Sequence, residues 1–168
     1  DRMLIRKNDD ASGEINVLSA NDLILRTSDT TRLTISSGGN VGIGTTAPGV
    51  KLELSTDTDD SNMRISTHHN TNSAHPNLVF RKSHNTAASP GDVEDDESLG
   101  DIEWHGYHTD GYDVGARIGA YVDNTPGNGD MPARLVFSTS ADASASPTAR
   151  MTILSTGNVG IGTPSPAK

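Results

Sequence analysis

Apolar residues along this chain come in short alternating runs, and no stretch keeps the three-to-four spacing of a helix. Leu33 and Ile35 alternate with Arg32, Thr34 and Ser36. Val41 and Ile43 flank Gly42, and Leu52 and Leu54 flank Glu53. Ile118, Ala120 and Val122 share one side of a run whose other side carries Arg117, Gly119 and Tyr121. A period of two is what a half-buried strand requires. The pattern predicts strands over residues 3–6, 15–18, 23–26, 32–36, 41–43, 51–55 and 63–65, then 78–81, 101–105, 116–122 and 134–138. Turn-forming clusters separate them: Asn8-Asp9-Asp10, Ser19 to Asp22, Ser37-Gly38-Gly39-Asn40, Ser89-Pro90-Gly91, Asp110-Gly111 and Thr125 to Gly129. The chain reads as all-β.

One of these stretches recurs. Gly39-Asn40-Val41-Gly42-Ile43-Gly44-Thr45 returns as Gly157-Asn158-Val159-Gly160-Ile161-Gly162-Thr163. Arg32, Thr34, Ile35, Ser37 and Pro48 match Arg150, Thr152, Ile153, Ser155 and Pro166. The copies lie about 118 residues apart, beyond the roughly 20–50-residue period of a solenoid. They read as one small module used twice, with something different between. Four aliphatic side chains per module cannot offset the entropy of ordering its residues, at roughly 1–2 kcal/mol each. Two readings answer that shortage. Each module is a β-hairpin packed on the central part, or three copies of the chain pool their side chains about a common axis, with the glycines letting chains touch. On the second reading Leu33, Ile35, Val41, Ile43, Met151, Ile153, Val159 and Ile161 face the axis.

The aromatic residues mark a boundary. Phe80, Trp104, Tyr107, Tyr112, Tyr121 and Phe137 all lie between 80 and 137. Aromatics dominate compact cores, so the middle reads as a small antiparallel sheet or sandwich with Trp104 inside it, and the flanks as thin. The expected division is 1–55, an N-terminal shaft with the first module; 56–148, the central β domain; and 149–168, the second module. The chain opens on Asp1, and Pro166-Ala167-Lys168 stops where the first copy runs on into Lys51-Leu52. An internal piece or processed product of a longer protein is expected.

Composition narrows the functions. Only 32% of residues are hydrophobic, well below the globular norm of about 45–50% on a slightly wider residue count. A net charge of −9 argues against binding a phosphate backbone. The absence of cysteine excludes disulfides and thiolate metal sites, and fits folding in a reducing compartment. No apolar run approaches the roughly 20 residues of a membrane-spanning helix.

Candidate chemistry is sparse. The acidic run Asp92 to Glu97 lacks the spacing of a dedicated calcium loop and reads as a solvated turn. Six histidines (His68, His69, His75, His84, His105, His108) include no His-x-His pair. A threefold axis could build a metal site from one of them, but neighbours such as His68 and His69 leave a strand on opposite faces. No cofactor is expected. Tyr107, His108 and Tyr112 suit contact with a saccharide, and packing between chains is the plainer role for the tyrosines. A polysaccharide-cleaving enzyme would need two carboxylates about 5–10 Å apart. Glu103, Asp110 and Asp113 could be nominated, but nothing in their spacing selects them, and no hydrolase or phosphate-loop motif occurs. No enzyme is expected.

The run from Arg32 to Pro48 resembles collar segments of bacteriophage tail fibres. Leu99 to Tyr107 and Gly129 to Thr139 are similar to segments that precede the second collar in that family. The resemblance spans roughly residues 31 to 166 and implies an elongated, intertwined homotrimer with thin β collars flanking a small antiparallel β domain. It implies a structural and host-adhesion role in the virion tail, after folding in the host cytoplasm. The partners implied are further copies of the chain, other tail fibre or baseplate proteins, and a host surface polysaccharide. The self-cleaving chaperone domain that follows such collars in the family is not among these residues. A module of a microbial surface adhesin or extracellular filament is the alternative.

Overall fold

A computed structural model describes residues 3–7, 13–17, 20–71 and 73–166. The expected turn at Asn8 to Asp10, and Leu18, Ser19, Ala167 and Lys168, lie outside the described residues. No helix occurs among those described. The chain divides into two units, Asp1–Pro76 and Asn77–Lys168.

In the first unit β1 (Met3–Lys7) pairs antiparallel with β2 (Gly13–Val17). A separate four-stranded sheet runs β3 (Leu23–Thr27), β4 (Thr30–Ile35), β5 (Val41–Ile43) and β6 (Leu52–Leu54). The first three strands alternate in direction, but β5 and β6 are parallel. Parallel neighbours usually need a crossover of about a dozen residues or more. Here residues 44–51 manage it by folding back across β5, where Gly42 leaves room. A Cβ at Gly42 would lie 2.8 Å from the carbonyl oxygen of Thr45 and 3.4 Å from Pro48.

The second unit opens with a short hairpin, β7 (His84–Thr86) and β8 (Ser89–Gly91). A five-stranded antiparallel meander follows: β9 (Ser98–His108), β10 (Gly111–Val122), β11 (Ala133–Thr139), β12 (Thr148–Ile153) and β13 (Val159–Ile161). The ladder between β10 and β11 begins at Ala116, so β9 and β10 run on past the sheet as a two-stranded arm that turns at Thr109-Asp110. Strands β12 and β13, expected to form a separate collar from residue 149, are hydrogen-bonded into the same sheet as β9 to β11. The division at Pro76 likewise differs from the expected break after residue 55.

Three expectations need correction. Residues 63–65 and 78–81 have the residue types of short strands but pair in no sheet among the described residues, because strand-forming residue types cannot supply a neighbour. Among the described residues the central part has one five-stranded sheet and a separate two-stranded hairpin, not the two facing sheets of a sandwich. Trp104 is therefore not enclosed: it is 52% exposed. Among the described residues the buried apolar side chains are Val93 and Val122, where the acidic loop meets the end of β10.

The repeat is larger than its glycine motif. Leu23, Ile24 and Leu25 pair with Ile35, Thr34 and Leu33; Leu135, Val136 and Phe137 pair in the same way with Ile153, Thr152 and Met151. Each ladder has its irregularity at the next step, after Leu25 in one and after Phe137 in the other. The module is thus three strands, β3-β4-β5 and β11-β12-β13. Its side-chain anchors repeat too: Arg32 Nε donates to Thr27 Oγ1 at 2.8 Å, and Arg150 Nε to Thr139 Oγ1 at 3.0 Å. The hairpin turns also match, with Gly39 and Gly157 at φ of 80° and 85°, each donating its N–H at 2.8 Å, to the carbonyls of Ser36 and Leu154.

Candidate functional site

Strand register sorts side chains into faces, and both larger sheets carry two apolar rows on one face. In the four-stranded sheet Leu25, Leu33, Ile43 and Leu54 form one row, and Leu23, Ile35, Val41 and Leu52 the next. In the five-stranded sheet Ile102, Ile118, Phe137, Met151 and Ile161 form a row beside Gly100, Ala120, Leu135, Ile153 and Val159. All eight residues expected at an axis sit on these two faces. Within one chain the faces are open: Ile161 is 82% exposed, and Ile43, Ile35, Leu52, Val159, Leu135 and Ile102 are also exposed.

The opposite faces explain the glycines. Thr34 sits across from Gly42 and Thr152 across from Gly160, and both threonines are fully buried. What covers them is the chain's own return, Thr45 to Pro48 in the first module and Thr163 to Pro166 in the second, each passing over its glycine. The glycines were expected to let separate chains touch. In the structure they let one chain cross itself.

The polar face of the five-stranded sheet is tied together by charge. Arg134 reaches Asp96 Oδ1 at 2.7 Å and Asp123 Oδ1 at 3.4 Å, and donates to the Val122 carbonyl at 2.8 Å. Asp123 accepts the Ser155 backbone N–H at 2.7 Å, and that bond is the main reason its pKa lies below the usual carboxylate value. The acidic run is thus an anchored loop rather than a freely solvated turn. Asp95 caps the Asn124 N–H at 2.7 Å. Glu97 accepts from His84 Nε2 at 2.8 Å and from the Glu94 N–H at 3.0 Å, and lies 3.4 Å from Lys82. The His84 bond, then the Glu94 N–H, lower its pKa from 4.5 to about 2. Burial, then the charge of Asp101, raises the pKa of Tyr121, keeping its hydroxyl a donor.

At the end of the arm the three residues considered for saccharide contact come together, but not on one surface. Tyr107 and Tyr112 are directly paired, with ring centroids 5.1 Å apart and planes at 68°. Both are well exposed, at 67% and 71%. His108 leaves from the other face. Its Nδ1 lies 2.9 Å from Asp110 and its Nε2 2.8 Å from Asp113, an arrangement satisfied on both sides when the ring carries two protons. Of the carboxylates nominated for catalysis, Glu103 is bonded to His105 at 2.9 Å, and Asp110 and Asp113 to His108. No group of three or more metal-binding side chains forms among the described residues.

Sequence reasoning missed the anchors Asp22 and Asp123, which accept the backbone N–H groups of Ser37 and Ser155 at 2.8 and 2.7 Å. The matched serines were the available signal. It went unread because the two aspartates occupy unrelated places in the chain.

Two larger, mostly antiparallel sheets, each with a bare apolar face and each carrying one copy of the repeated module, make up the fold, and it is the fold of a bacteriophage tail fibre domain. The structure is similar to the carboxy-terminal domain of the bacteriophage T5 L-shaped tail fibre, with a TM-score of 0.66 and 11% identity over 94% of this chain and 71% of that one. Against the same domain with its intra-molecular chaperone domain the TM-score is 0.69, again at 11% identity, over 85% of this chain and 44% of that one. No protein-family model matches the sequence, and no curated protein sequence does.

Proposed function

We propose that this chain is a structural and host-adhesion segment of a trimeric bacteriophage tail fibre. The observation that carries the reading is the pair of uncovered apolar faces. An antiparallel sheet is stable in water when one face is packed and the other solvated, and a domain normally achieves this with a second layer. Among the described residues no second sheet covers either apolar face within its own unit, and the buried apolar core is little more than Val93 and Val122. Covering the faces at roughly 25 cal/mol per Å² is the available source of stability. Further copies of the chain, arranged with closed symmetry, provide that cover without leaving a sticky end. Three copies about an axis is the arrangement that the resemblance of the two glycine modules to tail fibre collars implies.

On this reading the role is mechanical and adhesive. The apolar faces turn inward, and the polar faces, the arm and its tyrosines face out toward a host surface saccharide. The segment works in the virion tail beside other fibre or baseplate proteins and performs no catalysis, so host polysaccharide incubated with it keeps its size distribution.

Because the chain has no cysteine, single substitutions give a clean test. A cysteine in Ile161→Cys or Ile43→Cys, at positions 82% and 45% exposed in one chain, should react slowly with a polar thiol reagent in the native protein and promptly after denaturation. Equal rates in the two states would mean that nothing covers these faces.

A further inference from the structure

We propose that the outer edge of β13 is a docking site for a strand from a second copy of this chain, and that the strand is residues 62–67. One edge and one strand are left over when the two modules are compared. In the first module the outer edge of β5 is taken by the parallel strand β6, with Val41, Gly42 and Ile43 beside Leu52, Glu53 and Leu54. In the second module β13 repeats the Val-Gly-Ile of β5, but it ends its sheet, with β12 on one side and no strand on the other among the described residues. The chain also carries a second version of the strand. Lys51-Leu52-Glu53-Leu54-Ser55-Thr56 is matched by Asn62-Met63-Arg64-Ile65-Ser66-Thr67, apolar, charged and apolar before Ser-Thr in both. Residues 62–67 are exposed, Met63 at 64% and Ile65 at 47%, and pair in no sheet among the described residues.

The hydrogen bonds of the first module show which way the edge points. The Ser36 N–H donates to the Asn40 carbonyl at 2.9 Å and the Gly44 N–H to the Arg32 carbonyl at 3.2 Å, tying residues 40 and 44 to β4. Alternate residues of a strand address opposite neighbours, so Val41 and Ile43 face outward. There the Val41 N–H donates to the Lys51 carbonyl at 2.9 Å, and the Ile43 carbonyl accepts the Ser55 N–H at 3.0 Å. The second module has the same inner ties, Leu154 N–H to the Asn158 carbonyl at 3.0 Å and Gly162 N–H to the Arg150 carbonyl at 2.8 Å. The backbone groups of Val159 and Ile161 therefore point to the open edge, and both residues are exposed. Such an edge is a template for an extended segment, with main-chain hydrogen bonds for affinity and alternate side chains for register. In the register of β6, Met63 lies beside Val159, Arg64 beside Gly160 and Ile65 beside Ile161. Met63 and Ile65 then prolong the two apolar rows, as Leu52 and Leu54 do in the first sheet. Arg64 leaves on the polar face, where a cavity of about 450 Å³ holds the carboxylates of Asp96 and Asp123 against one cation, Arg134. Residues 78–81 are no substitute: Leu78-Val79-Phe80 lacks the alternation, and Phe80 already packs on Gly100, whose Cβ would stand 3.1 Å from it.

Neither the edge nor the strand is paired within one chain, so the occupant is a second copy. Each copy lending its strand to the next closes into a ring under rotational symmetry. That copies assemble at all rests on the tail fibre reading. Which edge takes which strand rests on the two modules.

The test is a disulfide between copies, which the absence of native cysteine makes unambiguous. Ile65→Cys chains and Ile161→Cys chains are produced together, oxidised mildly and digested, and the peptide linking 65 to 161 is sought by mass spectrometry. Each chain has one cysteine, so that link forms only between copies. Neighbouring strands put these Cα atoms about 4.8 Å apart, within disulfide range. The linked peptide is expected. It should be largely lost with Thr67→Cys in place of Ile65→Cys, roughly 7 Å further along the strand. In the unsubstituted native protein the Val159 and Ile161 amides should exchange with deuterium slowly, and quickly in Arg64→Pro, since proline cannot continue a paired strand. Exchange of those two amides at the rate of an unpaired peptide overturns the proposal, whether or not the cysteine variants assemble. An oligomer that forms no such link overturns it and leaves the fibre reading standing. A single-chain mass without the link removes both. A link made only inside one chain, in the double variant Ile65→Cys with Ile161→Cys, overturns the second copy as occupant.

Discussion

At the scale of single residues, the matched glycines show how a short motif specifies a fold. Gly160 lies under Thr163 and Pro166 as Gly42 lies under Thr45 and Pro48, and in both places a side-chain carbon would overlap a backbone carbonyl. Gly160→Ala should therefore cost about 1–3 kcal/mol, the range for overpacking a close contact, read as a lower midpoint in chemical denaturation. An unchanged midpoint would show that the return segment is not seated there.

Charge makes a second prediction at this scale. Glu97 titrates from a folded pKa of about 2, against 4.5 without its partners. A carboxylate with a depressed folded pKa stabilises the native state fully above its unfolded value. That stabilisation is lost as pH falls from about 4.5 toward 2. The loop that Glu97 ties to His84 should loosen in that window, and the ¹³C titration of its carboxyl should centre near 2. A midpoint near 4.5 would contradict the pairing.

At the scale of elements, the same three-strand module is built twice, with matching register and irregularity. The apolar face of each copy depends on alternation in all three strands. Ile43→Asp puts a carboxylate in the middle of the first face, and covering that face would then bury charge without a partner, at a cost of several kcal/mol or more per copy. The variant should lose assembly, seen as a changed elution volume. Normal assembly and an unchanged melting temperature would remove Ile43 from any covered surface.

Much of this level could be read from the sequence, because alternation and the glycine repeat are local signals. The first strand of the module was read as a strand in both places but not as part of the repeat. The strands match as Leu23-Ile24-Leu25 and Leu135-Val136-Phe137, yet the links that follow, residues 28–29 and 140–147, differ in length and break the alignment. Residues 63–65 and 78–81 show the opposite failure, since their residue types are a strand's and they pair in no sheet among the described residues. Trp104 was read as core on its residue type, but whether a ring is buried depends on a second layer that sequence alone does not place. The turn at Asp110-Gly111 is legible in the sequence, but the pairing of Tyr107 with Tyr112 is not, because β9 and β10 run on to the turn beyond the 101–105 and 116–122 that the pattern predicts.

At the scale of the whole molecule, the surfaces proposed for assembly and for adhesion lie on different residues. Tyr107→Ala with Tyr112→Ala should weaken binding to host envelope preparations and leave assembly intact, because the pair lies on the arm beyond the start of the β10–β11 ladder. Unchanged binding would move the adhesive surface elsewhere. The central claim is that the two apolar faces are covered by copies of this chain. It is tested most directly by the native mass of the purified protein, measured by light scattering after size exclusion. The account predicts three times the 17.6 kDa of one chain. A stable, folded species of 17.6 kDa would contradict it.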